Sequence, residues 1–169
     1  MKLAQIQSQI FVYVIAIVVV SMILMFGYNA VKDFGQRAEE VALIQFEKDM
    51  TATFHTISSS YGKIEIKKVE VPGGFDTVCF VEAPIAQNYK NLVFNGTSYP
   101  IILDSVKSNT EKNLFLVGGL NIESFDIGNI LIQQVPGEFP GFICFKSKQG
   151  RVEFKLFGKG DHVLVTTAD

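Results

Sequence analysis

Ile10 to Phe26 is a run of 17 residues without a charged side chain. Twelve of them are Ile, Leu, Val or Phe, and only Tyr13 and Ser21 carry a polar side-chain atom. The uncharged stretch extends further, from Leu3 to Val31, bordered by Lys2 and Lys32. As an α-helix, such a core rises about 26 Å, and Gln9 to Tyr28 reach roughly 30 Å, the thickness of a bilayer's hydrocarbon interior. Moving the twelve large apolar side chains out of water gains on the order of 4 to 7 kcal/mol, with no charge to offset it. The positive mean hydropathy of +0.27 has its source here. A cleavable secretory signal has a shorter apolar core and a small-residue exit. This core is longer, and its exit reads Phe26-Gly27-Tyr28-Asn29-Ala30. A core helix of a soluble domain would show a polar face, and this run has none. The expectation is a retained helix that lies in lipid or against copies of itself, through Ile10, Phe11, Val14, Ile17, Val18, Ile23, Leu24, Phe26 and Gly27.

Charge sets the expected orientation. Lys2 and the amino terminus favour the cytoplasmic side, which places residues 32–169 outside. Of the 15 Lys and Arg, only Lys2 precedes Val31, leaving 14 against all 17 Asp and Glu, a net charge of −3. No basic patch appears, so nucleic acid is not an expected partner. The chain has two cysteines, Cys79 and Cys144, each in a strand-like run. An oxidising exterior would let them pair, closing a loop of about 65 residues; two buried free thiols are the other reading. Asn95-Gly96-Thr97 is a glycosylation sequon in a turn-like setting, which makes Asn95 a candidate modification site.

Past the apolar run the helical period continues but becomes amphipathic, from Asn29 to about Ser59. Leu43, Phe46, Met50, Phe54, Ile57 and Tyr61 fall on one stripe at spacings of three and four, while Arg37, Glu39, Glu40, Glu47, Lys48 and Asp49 lie mostly off it. Val31, Phe34, Ala38 and Val41 form an earlier, slightly rotated stripe. Gly27 and Gly35 could bend the helix or admit a neighbour closely. Ser58 to Gly62 should end it, with Gly62 suited to a left-handed cap.

From Lys63 the period drops to two. Strands are expected at Ile64–Val71, Phe75–Glu82, Leu92–Phe94, Asn113–Val117, Asn129–Val135, Gly141–Ser147, Arg151–Phe157 and His162–Thr167. Pro72-Gly73-Gly74 reads as the turn joining the first two, and Gly-containing turns suggest that the last three form an antiparallel meander. Pro100 to Lys107 reads as one or two helical turns, with Ser98 as N-cap candidate. Val71-Pro72-Gly73-Gly74-Phe75 before Cys79-Phe80 echoes Val135-Pro136-Gly137-Glu138-Phe139 before Cys144-Phe145. Strands entered through the same turn chemistry can sit as neighbours and bring the two sulfurs into bonding reach. The fold class is therefore α+β: a long N-terminal α-helix, hydrophobic in its first half and amphipathic in its second, packed on a C-terminal antiparallel β-sheet domain. The segments are 5–29 for the apolar helix, 30–60 for its continuation and 61–169 for the β-rich part.

No catalytic chemistry is legible. His55 and His162 have no Cys, His or carboxylate neighbours at ligand spacing, so no metal and no cofactor is expected. The G-x-S-x-G and H-E-x-x-H patterns and a phosphate-cradling glycine loop do not occur. Gly73-Gly74 and Gly118-Gly119 read as turns, and the fifteen phenylalanines read mainly as core.

The start of the chain resembles the type IV pilin superfamily in its archaeal pilin and archaellin branch. Lys2, then Ala4-Gln5-Ile6-Gln7-Ser8-Gln9, then the Ile10–Phe26 helix carry the resemblance, which covers about the first 60 residues. Leu3 separates the basic from the small residue, and Gln9 stands where bacterial pilins carry a glutamate. The resemblance implies a short leader at residues 1–4, cut by a prepilin peptidase between Ala4 and Gln5, an assembly machinery, and a filament with helices at its centre and β domains outside. The expected function is a structural subunit of such a filament, in adhesion, surface attachment or motility. The alternative is a single-pass anchored β domain that binds a partner without polymerising; an enzyme is not expected.

Overall fold

The computed structural model describes residues 3–86, 88–94, 96–108, 110–119, 121–133 and 140–168, with the backbone alone at 3–9, 33, 36, 83 and 85. The arrangement is α+β, as the change of period from 3.6 to 2 requires. Helix α1 spans Leu3–Ser58. Gly27 and Gly35 lie inside it without interrupting it. The chain divides into two compact units, Met1–Val41 and Ala42–Asp169. The first holds only helix among the described residues. The second holds the last turns of α1 and every strand.

The strands of the second unit are β1 (Ile64–Glu70), β2 (Thr77–Val81), β3 (Val93–Phe94), β4 (Thr97–Ser98), β5 (Leu114–Gly118), β6 (Asn121–Phe125), β7 (Ile130–Ile132), β8 (Phe142–Lys146), β9 (Arg151–Gly158) and β10 (Val163–Thr166), with helices α2 (Ala83–Ala86) and α3 (Pro100–Lys107) between them. They form a first sheet in the order β1-β9-β10-β7, a second in the order β6-β5-β2-β8, and the small β3-β4 ribbon. All pairs are antiparallel except β10 with β7, which is parallel.

Two cores share the second sheet. Every residue of β2 is buried, and the pleat sends alternate side chains to opposite faces. Val78 and Phe80 enter a core with Phe46, Met50, Phe54 and Ile57 of α1 and with Phe154, Leu156, Val163 and Val165 of the first sheet. Cys79 and Val81 enter a second core beneath Ile102, Leu103 and Val106 of α3. The Phe80 ring lies 5.7 Å from Phe54 and 5.0 Å from Phe154, so one side chain ties helix to both sheets. Such aromatic pairs add about 0.5–1.5 kcal/mol each beyond the area they bury.

The stripe expected on α1 is buried at Phe46, Met50, Phe54 and Ile57, but Tyr61 is 84% exposed. The helix has ended by then: the Ser60 N–H donates to the Ile57 carbonyl, and the chain turns. Gly62 has the expected left-handed φ of 79°, yet its N–H donates to the Gly158 carbonyl on β9 instead of capping α1. Gly158 closes the same corner. A Cβ there would collide with the carbonyls of Ile57 and Ser60, so only glycine lets β9 pass under the helix end.

Three expectations need correcting. Pro72-Gly73-Gly74 does not join a hairpin, because β1 and β2 lie in different sheets. Gly74 (φ 87°) instead packs its carbonyl where a side chain on Gly118 would stand. The final meander is likewise split: β9 pairs with β10, whereas β8 pairs with β2. Burial explains the split. Phe142, Ile143 and Cys144 are consecutively buried and need cover on both faces, while β9 alternates exposed with buried residues and needs cover on one. Finally, α3 begins with Pro100 at its first turn, but its N-cap is Tyr99, without a side-chain hydrogen bond, and Ser98 belongs to β4. Strand β6, Asn-Ile-Glu-Ser-Phe, is an addition that its polar residues hid.

Candidate assembly and membrane surface

The first unit offers one chemical feature, its surface. Every large apolar side chain described from Ile10 to Phe26 is exposed, and the most apolar 18-residue window of α1 has a mean hydropathy of 2.9 with 0% of it buried. Ile10, Phe11, Val14, Ile17, Val18, Ile23, Leu24 and Phe26 all lie on that bare surface. By length and composition this helix can cross a membrane. The hydroxyl of Ser21, one of its two polar side chains, is satisfied locally by donating to the Ile17 carbonyl at 2.8 Å. Gly27 has nothing among the described residues within 4 Å of the place a Cβ would occupy.

Apolar exposure does not stop where a bilayer would. Val31 (74% exposed) ends the uncharged run, and Phe34 (78%) and Val41 (61%) continue the exposure beyond Lys32. Phe34 and Val41 line one shallow face of the helix with Ala30 and Ala38, beside Arg37. From Ile10 to Val41 the helix rises about 48 Å, against about 30 Å of hydrocarbon.

In the second unit Cys79 and Cys144 are joined in a disulfide across directly opposed positions of β2 and β8, with Cα atoms 4.0 Å apart. The first V-P-G-x-F turn precedes β2. The second, at residues 135–139, lies outside the described residues, as does Asn95. Ala4 and Gln5 fall within α1.

Groups able to do chemistry are scattered. His55 is exposed on α1. The His162 Nδ1 sits 2.6 Å from Asp161 Oδ1 on the turn between β9 and β10. Among the described residues no three metal-ligating side chains converge. A cleft at the ends of β2, β5, β7 and β10 brings together Glu82, Glu111, Asp126, Asp161 and His162 around Asn113. Asn113 is committed to structure, accepting the Ile127 N–H at 2.9 Å and donating to the Gly128 carbonyl. Glu82 has one carboxylate oxygen buried without a partner among the described residues. Burial pushes its carboxyl above the usual range, while the Ile132 backbone N–H and nearby His162 pull the other way.

Compared with known proteins, the chain matches no family model, no curated protein and no solved structure.

Proposed function

We propose that this chain is a structural subunit of an extracellular filament of the type IV pilus kind, assembled through its N-terminal helix and serving adhesion, surface attachment or motility. One observation carries the reading: the apolar surface of α1 is too long for lipid alone. A bilayer covers about 20 residues. It leaves Val31, Phe34 and Val41 in water, each well over half exposed. Sister helices remove both stretches from water at once, the all-apolar segment and the one-sided stripe beyond it. The disulfide supports an exterior location for the β-rich unit, because such bonds persist in oxidising compartments. A single-pass anchor accounts for Ile10–Phe26 equally well but leaves the Val31–Val41 stripe uncovered.

Shearing cells that express the chain and imaging the released material tests this. Filaments built of the chain, starting at Gln5, are the expected result. A chain recovered only from membranes, as a monomer starting at Met1, would sink the proposal in favour of the anchor.

A further inference from the structure

Two polar side chains interrupt the apolar run of α1, and they differ in how their hydroxyls are satisfied. Ser21 is exposed, yet its hydroxyl is already tied to its own helix, donating to the Ile17 carbonyl at 2.8 Å. That bond uses the proton and leaves the oxygen lone pairs free to accept. Tyr13 is 61% exposed. Its ring holds the hydroxyl far from the backbone, so it cannot fold back on the preceding turn as a serine does. One residue has an uncommitted donor and the other an uncommitted acceptor.

Surroundings decide whether Tyr13 needs a protein partner. In a bilayer it does not. It stands about one helical turn inside the amino end of the run, and helical side chains lean towards that end, so the hydroxyl reaches the headgroup level. Among sister helices the position changes. A bundle that covers Ile10–Phe26 takes Tyr13 away from headgroups and water alike, and a buried hydroxyl without a partner is penalised. The backbone carbonyls nearby are engaged in the ladder of the helix. Inside the run, the side-chain acceptors left are the hydroxyls of Ser21 and Tyr13 in a neighbouring copy.

Symmetry separates these two. Tyr13 against Tyr13 uses the same face of both copies, and such a contact closes as a pair. Tyr13 and Ser21 lie eight residues apart. They therefore differ by about 12 Å in height and by about 80° around the helix. For their hydroxyls to meet, parallel copies must be offset along the helix axis by about that height. The contact joins two different faces, and it steps along the axis at every repeat. A ring cannot close on such a step, so the contact propagates as an open helical array.

We infer that the Tyr13 hydroxyl of one copy donates to the Ser21 Oγ of the next, and that this bond sets the axial step between adjacent helices. The inference rests on the filament reading and names the register of its central contact. A benzophenone amino acid in place of Tyr13 of the full-length chain tests it, because its reactive carbonyl stands close to where the hydroxyl stood. Illumination of sheared filaments should give a dimer whose cross-link maps within one helical turn of Ser21 in the second copy. A cross-link to residue 13 of the second copy, to another segment or to lipid alone overturns the register. Tyr13→Phe and Ser21→Ala supply a second measurement. Each removes a hydroxyl and makes the run more apolar, so membrane insertion should be at least as complete as in the native chain. The concentration of free subunit in equilibrium with filaments should rise about threefold or more in each single variant. The double variant should rise no further, since both changes break one bond. Additive losses, or filaments of Tyr13→Phe as stable as native ones, overturn the bond while the filament reading stands. Absence of any polymer from the unaltered chain instead removes the filament reading, and this contact with it.

Discussion

The two halves of α1 make an informative pair. Phe46, Met50, Phe54 and Ile57 in one half are at most 5% exposed, whereas Ile17, Leu24 and Phe26 in the other are all at least two-thirds exposed. Both halves are rich in large apolar side chains, so content does not separate them. Arrangement does. The second half spaces its apolar residues by four, four and three, which makes one stripe for one covering surface. The first half has apolar residues on every side until Lys32, so no single β domain could cover it. It needs an environment that surrounds it, which lipid or a bundle of sister helices supplies.

This contrast predicts that equally severe substitutions in the two halves will fail in different assays. The largest effect belongs to the second half. Phe54→Ala removes a ring packed against Phe80 and leaves a cavity at the junction of helix and sheets. Such truncations cost about 3–5 kcal/mol. Denaturant unfolding of the detergent-solubilised chain should show it, with membrane insertion unchanged. If insertion fails instead, the two halves do not divide the work as proposed.

Removing the disulfide comes next. The bond closes a loop of 65 residues within the unit that α1's second half joins. The chain-entropy model assigns that loop about 4 kcal/mol. Reduction, or Cys79→Ala with Cys144→Ala, should lower the unfolding midpoint of the β-rich unit and expose Phe46–Ile57 to protease. The first half should stay in the membrane. In that half, Val18→Asp should cost about 3 kcal/mol of insertion, the penalty of a carboxylate near mid-bilayer. The readout is the fraction of chain that resists alkaline extraction from membranes. A β-rich unit that melts at the same temperature in this variant would complete the contrast, and one that melts lower would break it.

How much of this could be read in advance depended on the range of the interaction. The α1 stripe, the Pro100–Lys107 helix and the charge-free run are local patterns, and they lie where their spacing indicates. The pairing of Cys79 with Cys144 was one of two readings of a chain with two cysteines in strand-like runs, the other being free thiols, and the opposed positions on β2 and β8 decide it. Sheet membership was not. β8 and β9 are joined by a tight turn that includes Gln149 at a φ of 54°, and the turn gives no sign that its strands part into separate sheets. The deciding signal is that β8 is apolar at consecutive positions and β9 at alternate ones. The helix surface of the candidate site needed only the sequence.

The smallest expected effect concerns Glu82, and it probes the second unit alone. Its backbone N–H donates to the Gly141 carbonyl at 2.7 Å, which fixes the residue just beyond β2. One carboxylate oxygen is buried without a partner among the described residues, and burial raises the carboxyl's pKa above the ordinary value. A raised folded-state pKa means that the folded form holds its proton more tightly than the unfolded one. The associated stability is complete below the ordinary glutamate pKa and is lost as pH rises through the raised value. Glu82→Gln cannot ionise and keeps its stability across that window. The variant should therefore match the native chain in acid and melt higher at neutral pH, by a small margin because most of the side chain is solvent-screened. Thermal melts at both pH values would check this. A variant less stable at neutral pH would show that the ionised carboxylate has a partner and that the burial-driven shift is not what governs this corner of the fold.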